Sequence, residues 1–172
     1  IWNEPDGFAD DAPAEKKTCW GGTREQFCEF FDVAARHLKR CFPDKKIGGP
    51  AVCFPLTDWA RYFLNYLRAH ETPLDFFSWH IYANNPLRVA EVEREARAML
   101  DSCGFEKTES ILNEWNYVRG WEGGEWLYSL EAERGLKGAA FIASVLSRSQ
   151  YMPVDQLMYY DARPCAMNGL FR

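Results

Sequence analysis

Two glutamates, each preceded by an asparagine, are the residues of this chain best suited to chemistry: Glu4 follows Asn3, and Glu114 follows Asn113. Two carboxylates that face each other can cleave a glycosidic bond, because one donates a proton to the leaving oxygen while the other, ionised, attacks the anomeric carbon. Taken singly, each also has a structural interpretation, with Glu4 as an acid in the first turn of a helix and Glu114 as a solvated loop residue. Taken together, the two Asn-Glu pairs favour catalysis.

Strands and helices alternate in the predicted secondary structure and must position both glutamates. Strands are predicted over 46–49, 75–82, 109–114 and 156–160, with a fifth strand implied just before Trp2. Helices are predicted to follow a capping box of Thr23 and Gln26, to cover 59–67, to start at Asn85 and Pro86, and to run unbroken over about 128–148. Strict alternation predicts a parallel α/β sheet covered by helices. An open doubly wound sheet and a (β/α)₈ barrel both satisfy this pattern, although no glycine-rich phosphate loop follows a strand.

The carboxyl ends of the predicted strands carry most of the candidate site residues. In parallel β/α folds ligands bind at these ends, so the two glutamates are expected to arrive on one face from different strands. The residues expected to bind substrate around them are Asn3, His80, Tyr82, Trp115, Asn116 and Tyr160. For His80, a hydrogen-bonded structural role is an equally good interpretation.

Composition narrows the class of protein. The 172 residues carry 20 Lys and Arg against 25 Asp and Glu, for a formal net charge of −5. The length, with 47% hydrophobic and 26% charged residues, predicts one globular domain over 1–172. No basic cluster supports nucleic-acid binding, and no apolar run of about 18 residues supports a membrane span. Aromatic residues make up 16% of the chain, so we expect some rings to contact a sugar. The six cysteines lack metal or redox spacing and are expected to be mostly free thiols.

Four segments of the chain resemble the strand ends of the clan A glycoside hydrolases, in the same order and spacing. They are Asn3-Glu4-Pro5, Gly48-Gly49-Pro50, His80-Ile81-Tyr82 and Asn113-Glu114-Trp115-Asn116. The sequence is most similar to glycoside hydrolase family 39, which contains β-xylosidases and α-L-iduronidases. This resemblance covers nearly the whole chain. It implies a partial (β/α)₈ barrel made of strands 4 to 8 with their helices, and a retaining mechanism without metal or organic cofactor.

The resemblance also implies roles for individual residues. Glu4 resembles the acid/base at the end of strand four, and Glu114 resembles the nucleophile at the end of strand seven. Asn3 would bind the sugar 2-hydroxyl, Tyr82 would orient the nucleophile, and His80 would contact the substrate or the acid/base region. The sequence departs from the family pattern at two places. The family commonly has a tryptophan at the end of strand eight, where this chain has Tyr159-Tyr160-Asp161 before Arg163 and Pro164, so the sugar specificity is not determined. Asn113 stands where threonine is usual, as in a neighbouring family of the clan.

Several expectations follow for the protein as a whole. The chain begins at Ile1 without an initiator methionine or signal peptide, so we expect a cut end. The N-terminal half of the barrel is then expected to be missing. The sequence does not distinguish a secreted protein from a cytoplasmic one. Half a barrel exposes open sheet edges and should be inactive by itself. The expected partner is an oligo- or polysaccharide, and a catalytically silent carbohydrate-binding barrel or an inactive fragment is the alternative. In a retaining enzyme the carboxyl groups should lie about 5 to 5.5 Å apart, with the Tyr82 hydroxyl in hydrogen-bond reach of Glu114.

Overall fold

The fold is a four-stranded parallel sheet covered by helices, seen in a computed structural model that describes residues 1–8, 12–17 and 19–161. Each strand pairs with the next strand in the chain, so the order across the sheet is β1-β2-β3-β4. The predicted α/β alternation is thereby confirmed. The elements are α1 (Arg24–Cys41), β1 (Gly48–Val52), α2 (Asp58–Ala69), β2 (Phe76–Ala83), α3 (Pro86–Ser102), β3 (Glu109–Tyr117), α4 (Gly123–Glu133), α5 (Leu136–Ser149) and β4 (Gln156–Tyr159), after a 3₁₀ turn at Ala14–Lys16.

Two helices begin where their capping residues predict. At α1, the Thr23 hydroxyl accepts the backbone N–H of Gln26 at 3.3 Å, and the Gln26 side chain accepts the backbone N–H of Thr23 at 2.9 Å. At α3, the Asn85 side chain accepts the N–H of Leu87 at 3.0 Å, and Pro86 occupies the first helical position. These contacts satisfy backbone N–H groups that have no partner inside the helix. Both predicted helix starts are confirmed.

The predicted unbroken helix over 128–148 is wrong, because α4 ends at Glu133 and α5 begins at Leu136. Gly135 between them has an extended backbone with φ −115° and ψ −173° and serves as the N-cap of α5. Glycine is a poor helix former, which accounts for the break between the two helices. The apolar pattern continues across the break because both helices bury residues against the core.

The first strand also differs from prediction, running over Gly48–Val52 rather than 46–49. Pro50 lies inside it, which is tolerated because β1 is the edge strand of the described sheet and needs no N–H at this position. Beside β1 lies the N-terminal segment: the Ile1 nitrogen donates to the Gly48 carbonyl at 2.8 Å, and the Glu4 N–H donates to the Ala51 carbonyl at 2.8 Å. The segment that follows the implied fifth strand therefore brings Glu4 to the end of β1.

Gly49 permits this close approach of the N-terminal segment. Its φ is +143°, and a Cβ atom there would lie 2.7 Å from the Ile1 carbonyl oxygen. A larger residue would displace the segment that carries Glu4.

The hydrophobic core lies between the sheet and the helices. Its largest fully buried side chains include Trp79, Trp115, Tyr117, Phe27, Phe31, Phe63 and Phe77. The opposite face of the sheet forms an open hollow of about 410 Å³, lined by residues of the N-terminal segment and all four strands, among them Ser78, Ile111 and Asn113. Among the described helices, none is both long and apolar enough to cross a membrane. Among the described residues, Cys19, Cys28, Cys41, Cys53 and Cys103 form no disulfide bond, while Cys165, Arg163 and Pro164 lie outside this part of the chain.

Glu133 is a buried acid near the end of α4, and neither of its carboxylate oxygens has a hydrogen-bond partner among the described residues. Burial raises the pKa of Glu133 from 4.5 to about 8, against the opposing effect of Arg134. Between these two pH values the unfolded chain has released a proton that the folded chain retains. The free energy of unfolding therefore falls as the pH rises through this window.

Replacing Glu133 by methionine is expected to stabilise the full-length protein, and to do so more at pH 8 than at pH 5. The extra stabilisation at pH 8 should be about 2 kcal/mol, because only there does the wild-type protein bear the full penalty of the acid. Thermal unfolding at both pH values measures it, with the exposed Glu131→Met on the same helix as control. An equal shift at pH 5 and pH 8 would show that Glu133 does not titrate as described.

Candidate active site

A β-bulge in β3 places Glu114 at the site. Trp79 of β2 pairs with Leu112, but the next residue, His80, pairs with Glu114, so Asn113 is an extra residue in β3. Side chains alternate between the two faces of a regular strand, so without a bulge Asn113 and Glu114 would lie on opposite faces. The bulge turns Glu114 to the same face as Asn113. Asn113 accordingly lines the open hollow, and Glu114 lies on the same side, in contact with β2.

The two glutamates meet around His80. The Nδ1 atom of His80 is 2.9 Å from Oε1 of Glu4 and 3.6 Å from Oε2 of Glu114. One oxygen of each carboxylate and one imidazole nitrogen all lie within 4.8 Å of one another. This upper limit on one pair of carboxylate oxygens is compatible with the spacing of about 5 to 5.5 Å between carboxyl groups that is expected of a retaining enzyme.

His80 acts on Glu4 through a hydrogen bond. The imidazole is 1% exposed, and because an ionised carboxylate can only accept, Nδ1 is the donor. This hydrogen bond is the largest influence on the pKa of Glu4, which is lowered; burial acts in the opposite direction, and a hydrogen bond from the Cys53 thiol lowers the pKa further. The described surroundings thus favour the ionised form of Glu4. His80 lies against the predicted acid/base, too deeply buried to be a surface for substrate.

The same three side chains, Glu4, His80 and Glu114, are the group of carboxylates and imidazole that lies close enough to share a metal ion within 1–8, 12–17 and 19–161. The imidazole nitrogen that faces both carboxylates is the one that donates to Glu4. In the tautomer that donates to Glu4, Nδ1 carries a proton and has no lone pair to offer a metal ion.

Tyr82 holds Glu114 from the end of β2. Its hydroxyl donates a hydrogen bond to Oε1 of Glu114, so the predicted contact is present. Burial and the adjacent Glu114 carboxylate raise the pKa of Tyr82, so the phenol keeps its proton and remains a donor. A hydrogen bond of this kind stabilises the ionised carboxylate and fixes its rotamer.

Asp6 is a site residue that the sequence analysis missed. Its buried carboxylate accepts the backbone N–H groups of Cys53 at 2.7 Å and Phe54 at 2.9 Å, which ties the segment after Glu4 to the loop after β1. Glu4 itself adopts a left-handed backbone with φ 45°, a conformation that needs support from its surroundings. The Glu-Pro-Asp turn was the available signal, because aspartate commonly binds nearby backbone N–H groups.

The prediction that Trp115 binds substrate is wrong. The indole is 1% exposed and packs against Tyr159 and Phe141, because the bulge at Asn113 turns Trp115 to the helix-covered face. Asn116 is buried as well, and its amide donates to the Tyr160 carbonyl at 2.8 Å, which joins the ends of β3 and β4.

Two other predicted substrate-binding residues remain accessible. Asn3 is exposed next to Glu4, and Tyr160 is partly buried, with its backbone N–H bonded to the Trp115 carbonyl at 3.2 Å.

Most of the chain matches known proteins. The model of the family "Glycosyl hydrolases family 39" matches residues 1–120. A β-xylosidase from Geobacillus stearothermophilus is 26% identical over 121 residues, which are 69% of this chain and 21% of that protein. A β-xylosidase from Caldicellulosiruptor saccharolyticus is 28% identical over 82 residues, 48% of this chain and 15% of that protein.

Solved structures give the same relationship. A glucosidase from Croceicoccus marinus superimposes with a TM-score of 0.74 and 30% identity, over 93% of this chain and 31% of that one. A monomeric β-xylosidase from Caulobacter crescentus gives a TM-score of 0.72 at 22% identity, over 94% and 33%. The chain spans about a fifth of its first curated relative and a third of these structures, and its sheet is part of a (β/α)₈ barrel. With residues 1–120 matched by the family model, the chain belongs to glycosyl hydrolase family 39.

Proposed function

We propose that residues 1–172 form the C-terminal half of the catalytic barrel of a retaining glycoside hydrolase. The observation that carries this proposal is the pair of carboxylates, Glu4 and Glu114, brought within 4.8 Å of each other from separate parts of the sheet edge. Their hydrogen-bond partners differ, because Tyr82 donates to Glu114 and His80 donates to Glu4. The resemblance of the strand ends gives Glu114, oriented by Tyr82, the role of nucleophile and Glu4 that of acid/base.

The reaction proceeds in two displacements. Glu114 attacks the anomeric carbon while Glu4 protonates the departing oxygen, which forms a glycosyl-enzyme ester and releases the leaving group. Glu4, now ionised, then takes a proton from water, and the resulting attack on the anomeric carbon releases Glu114. The net stereochemistry is retained.

Glu4 must change its protonation state during this cycle. The hydrogen bond from His80 favours the ionised form that the second step needs. The first step needs the protonated form, which is favoured when bound sugar displaces water from a partly exposed carboxylate that faces a second negative charge. Asn3, exposed beside Glu4, is placed to bind a sugar hydroxyl.

The proposed enzyme also requires the remaining strands of the barrel, which would pack against this half. The open hollow, the N-terminal segment that lies beside β1, and the outer edge of β4 are the surfaces that these strands would cover. Since β-xylosidases are among the relatives, β-xylosides are the first substrates to assay. Whether the complete barrel acts as an enzyme or binds sugar without cleaving it is decided by the same assay.

The direct test uses the full-length protein and a 2-fluoro β-xyloside with a good leaving group. Fluorine slows hydrolysis of the glycosyl-enzyme, so the label should accumulate, and peptide mass spectrometry should place it on Glu114. A label on another residue would refute the assignment of the nucleophile. No label and no turnover on a panel of β-glycosides would support a silent sugar-binding barrel instead.

Replacing Tyr82 by phenylalanine is expected to lower kcat by about 10- to 100-fold in the full-length enzyme. The nucleophile would lose the hydrogen bond that fixes its rotamer, so it would be poorly oriented for attack on the anomeric carbon. Initial rates with an aryl β-xyloside measure the effect, with the exposed Tyr151→Phe as control. A kcat equal to that of the wild-type enzyme would remove Tyr82 from the mechanism.

A further inference from the structure

Trp121 is an exposed aromatic residue that touches the proposed site but has no role in the mechanism above. It lies in the loop between β3 and α4 and is 56% exposed. Its indole meets the ring of Tyr82 edge-to-face, with 4.9 Å between centroids and 78° between planes. Because the Tyr82 hydroxyl donates to Glu114, Trp121 lies on the nucleophile's side of the carboxylate pair.

The loop around Trp121 is held firmly. Trp121 stacks on Trp126 of α4 at 5.4 Å between centroids and 21° between planes. The Arg119 N–H donates to the Ser129 hydroxyl at 2.9 Å, and its guanidinium donates to Glu125 at 2.7 Å. The Ser129 hydroxyl in turn donates to the Glu125 carbonyl at 2.8 Å. These contacts join both ends of the loop to the first turns of α4.

An indole fixed in this way and still half exposed has unsatisfied apolar surface. Burial of that surface would be favourable, yet no described residue covers it. A rigid aromatic side chain also loses little conformational freedom when it binds a ligand, which makes it an efficient contact. A pyranose ring presents a face of C–H groups that can pack on the electron-rich face of an indole.

We propose that Trp121 is the aromatic platform for the sugar ring whose anomeric carbon Glu114 attacks. This assignment rests on the proposed function for the identity of the reacting ring. The ligand class is a neutral pyranose, and the ring assigned is the glycone rather than the leaving group. The reason is positional: Trp121 contacts the site through Tyr82, the partner of Glu114, whereas Glu4 arrives from the opposite side, beside β1.

The test compares binding of free D-xylose with turnover of an aryl β-xyloside by the full-length protein. Trp121→Ala should weaken D-xylose binding, measured by calorimetry, by about tenfold, and it should lower kcat/KM for the aryl glycoside by a similar factor. Trp121→Phe should stay within about threefold of wild type, because a flat ring remains. Leu127→Ala, at a similarly exposed position on α4, should behave like wild type and serves as the matched control.

Each other outcome overturns the assignment. Unchanged D-xylose binding in Trp121→Ala would show that no platform exists. A loss confined to xylo-oligosaccharides, with the aryl glycoside unaffected, would place the platform at the leaving group. Wild-type protein that binds none of the three sugars D-xylose, L-arabinose and D-glucose would also refute a pyranose platform at Trp121. If D-xylose binding depends on Trp121 but no glycoside is hydrolysed, Trp121 contacts a sugar, but the proposed function fails and with it the assignment to the ring that Glu114 attacks.

Discussion

Replacing Glu114 by alanine should abolish the glycosyl-enzyme and lower kcat/KM of the full-length enzyme by about 10⁴-fold or more. The Glu114 carboxylate, bound by Tyr82 and 3.6 Å from His80, is the group that the proposed mechanism places at the anomeric carbon. The loss should be equal for activated and natural glycosides, because both need the same nucleophile.

The cavity left by the Glu114 side chain provides the decisive control. A small anion such as azide can occupy it and attack the anomeric carbon directly, which gives some turnover with an inverted glycosyl azide product. Initial rates with and without azide, and NMR of the product, measure this outcome. The exposed Glu106→Ala, in the loop before β3, should leave both rate and product unchanged. Retained product from Glu114→Ala with azide would contradict the nucleophile assignment.

Replacing Glu4 by alanine should instead separate substrates by their leaving groups. An aryl glycoside with a good leaving group needs little protonation, so the first displacement should survive and the glycosyl-enzyme should accumulate. A natural glycoside leaves as an alkoxide, and without an acid its rate should fall by about 10³-fold or more. The ratio of kcat/KM values for the two substrate classes is the measurement.

Azide distinguishes the two glutamates. In Glu4→Ala it should attack the glycosyl-enzyme from the side vacated by the acid/base, which gives a glycosyl azide of retained configuration. The pH profile should also lose its basic limb, because the group that must be protonated for the first step is gone. An identical loss on activated and natural substrates would show that Glu4 is not the acid, and the roles of the two strand ends would then have to be exchanged or abandoned.

Local sequence signals were sufficient to predict where several helices begin, because the contacts that fix a helix start span only a few residues. The Thr23 and Gln26 capping box and the Asn85-Pro86 start each satisfy backbone groups within one helical turn. Strict alternation of strands and helices likewise determined a parallel sheet, since a helix between strands returns the chain in the same direction. That rule is also why Glu114, His80 and Tyr82 could be expected at one edge of the sheet.

Long-range contacts decided what the sequence left open. Local propensity did not reveal the bulge at Asn113, which turns Trp115 into the core and Glu114 toward His80, because a bulge is specified by the pairing with β2. Asp6 binds a loop about 47 residues away, and Trp121, in the loop after β3, contacts Tyr82 at the end of the neighbouring β2. The sequence by itself determined which residue types and strand order the site requires. Only the tertiary structure decided which of those side chains face each other, because alternation, burial and hydrogen bonding are settled by neighbours far apart in the chain.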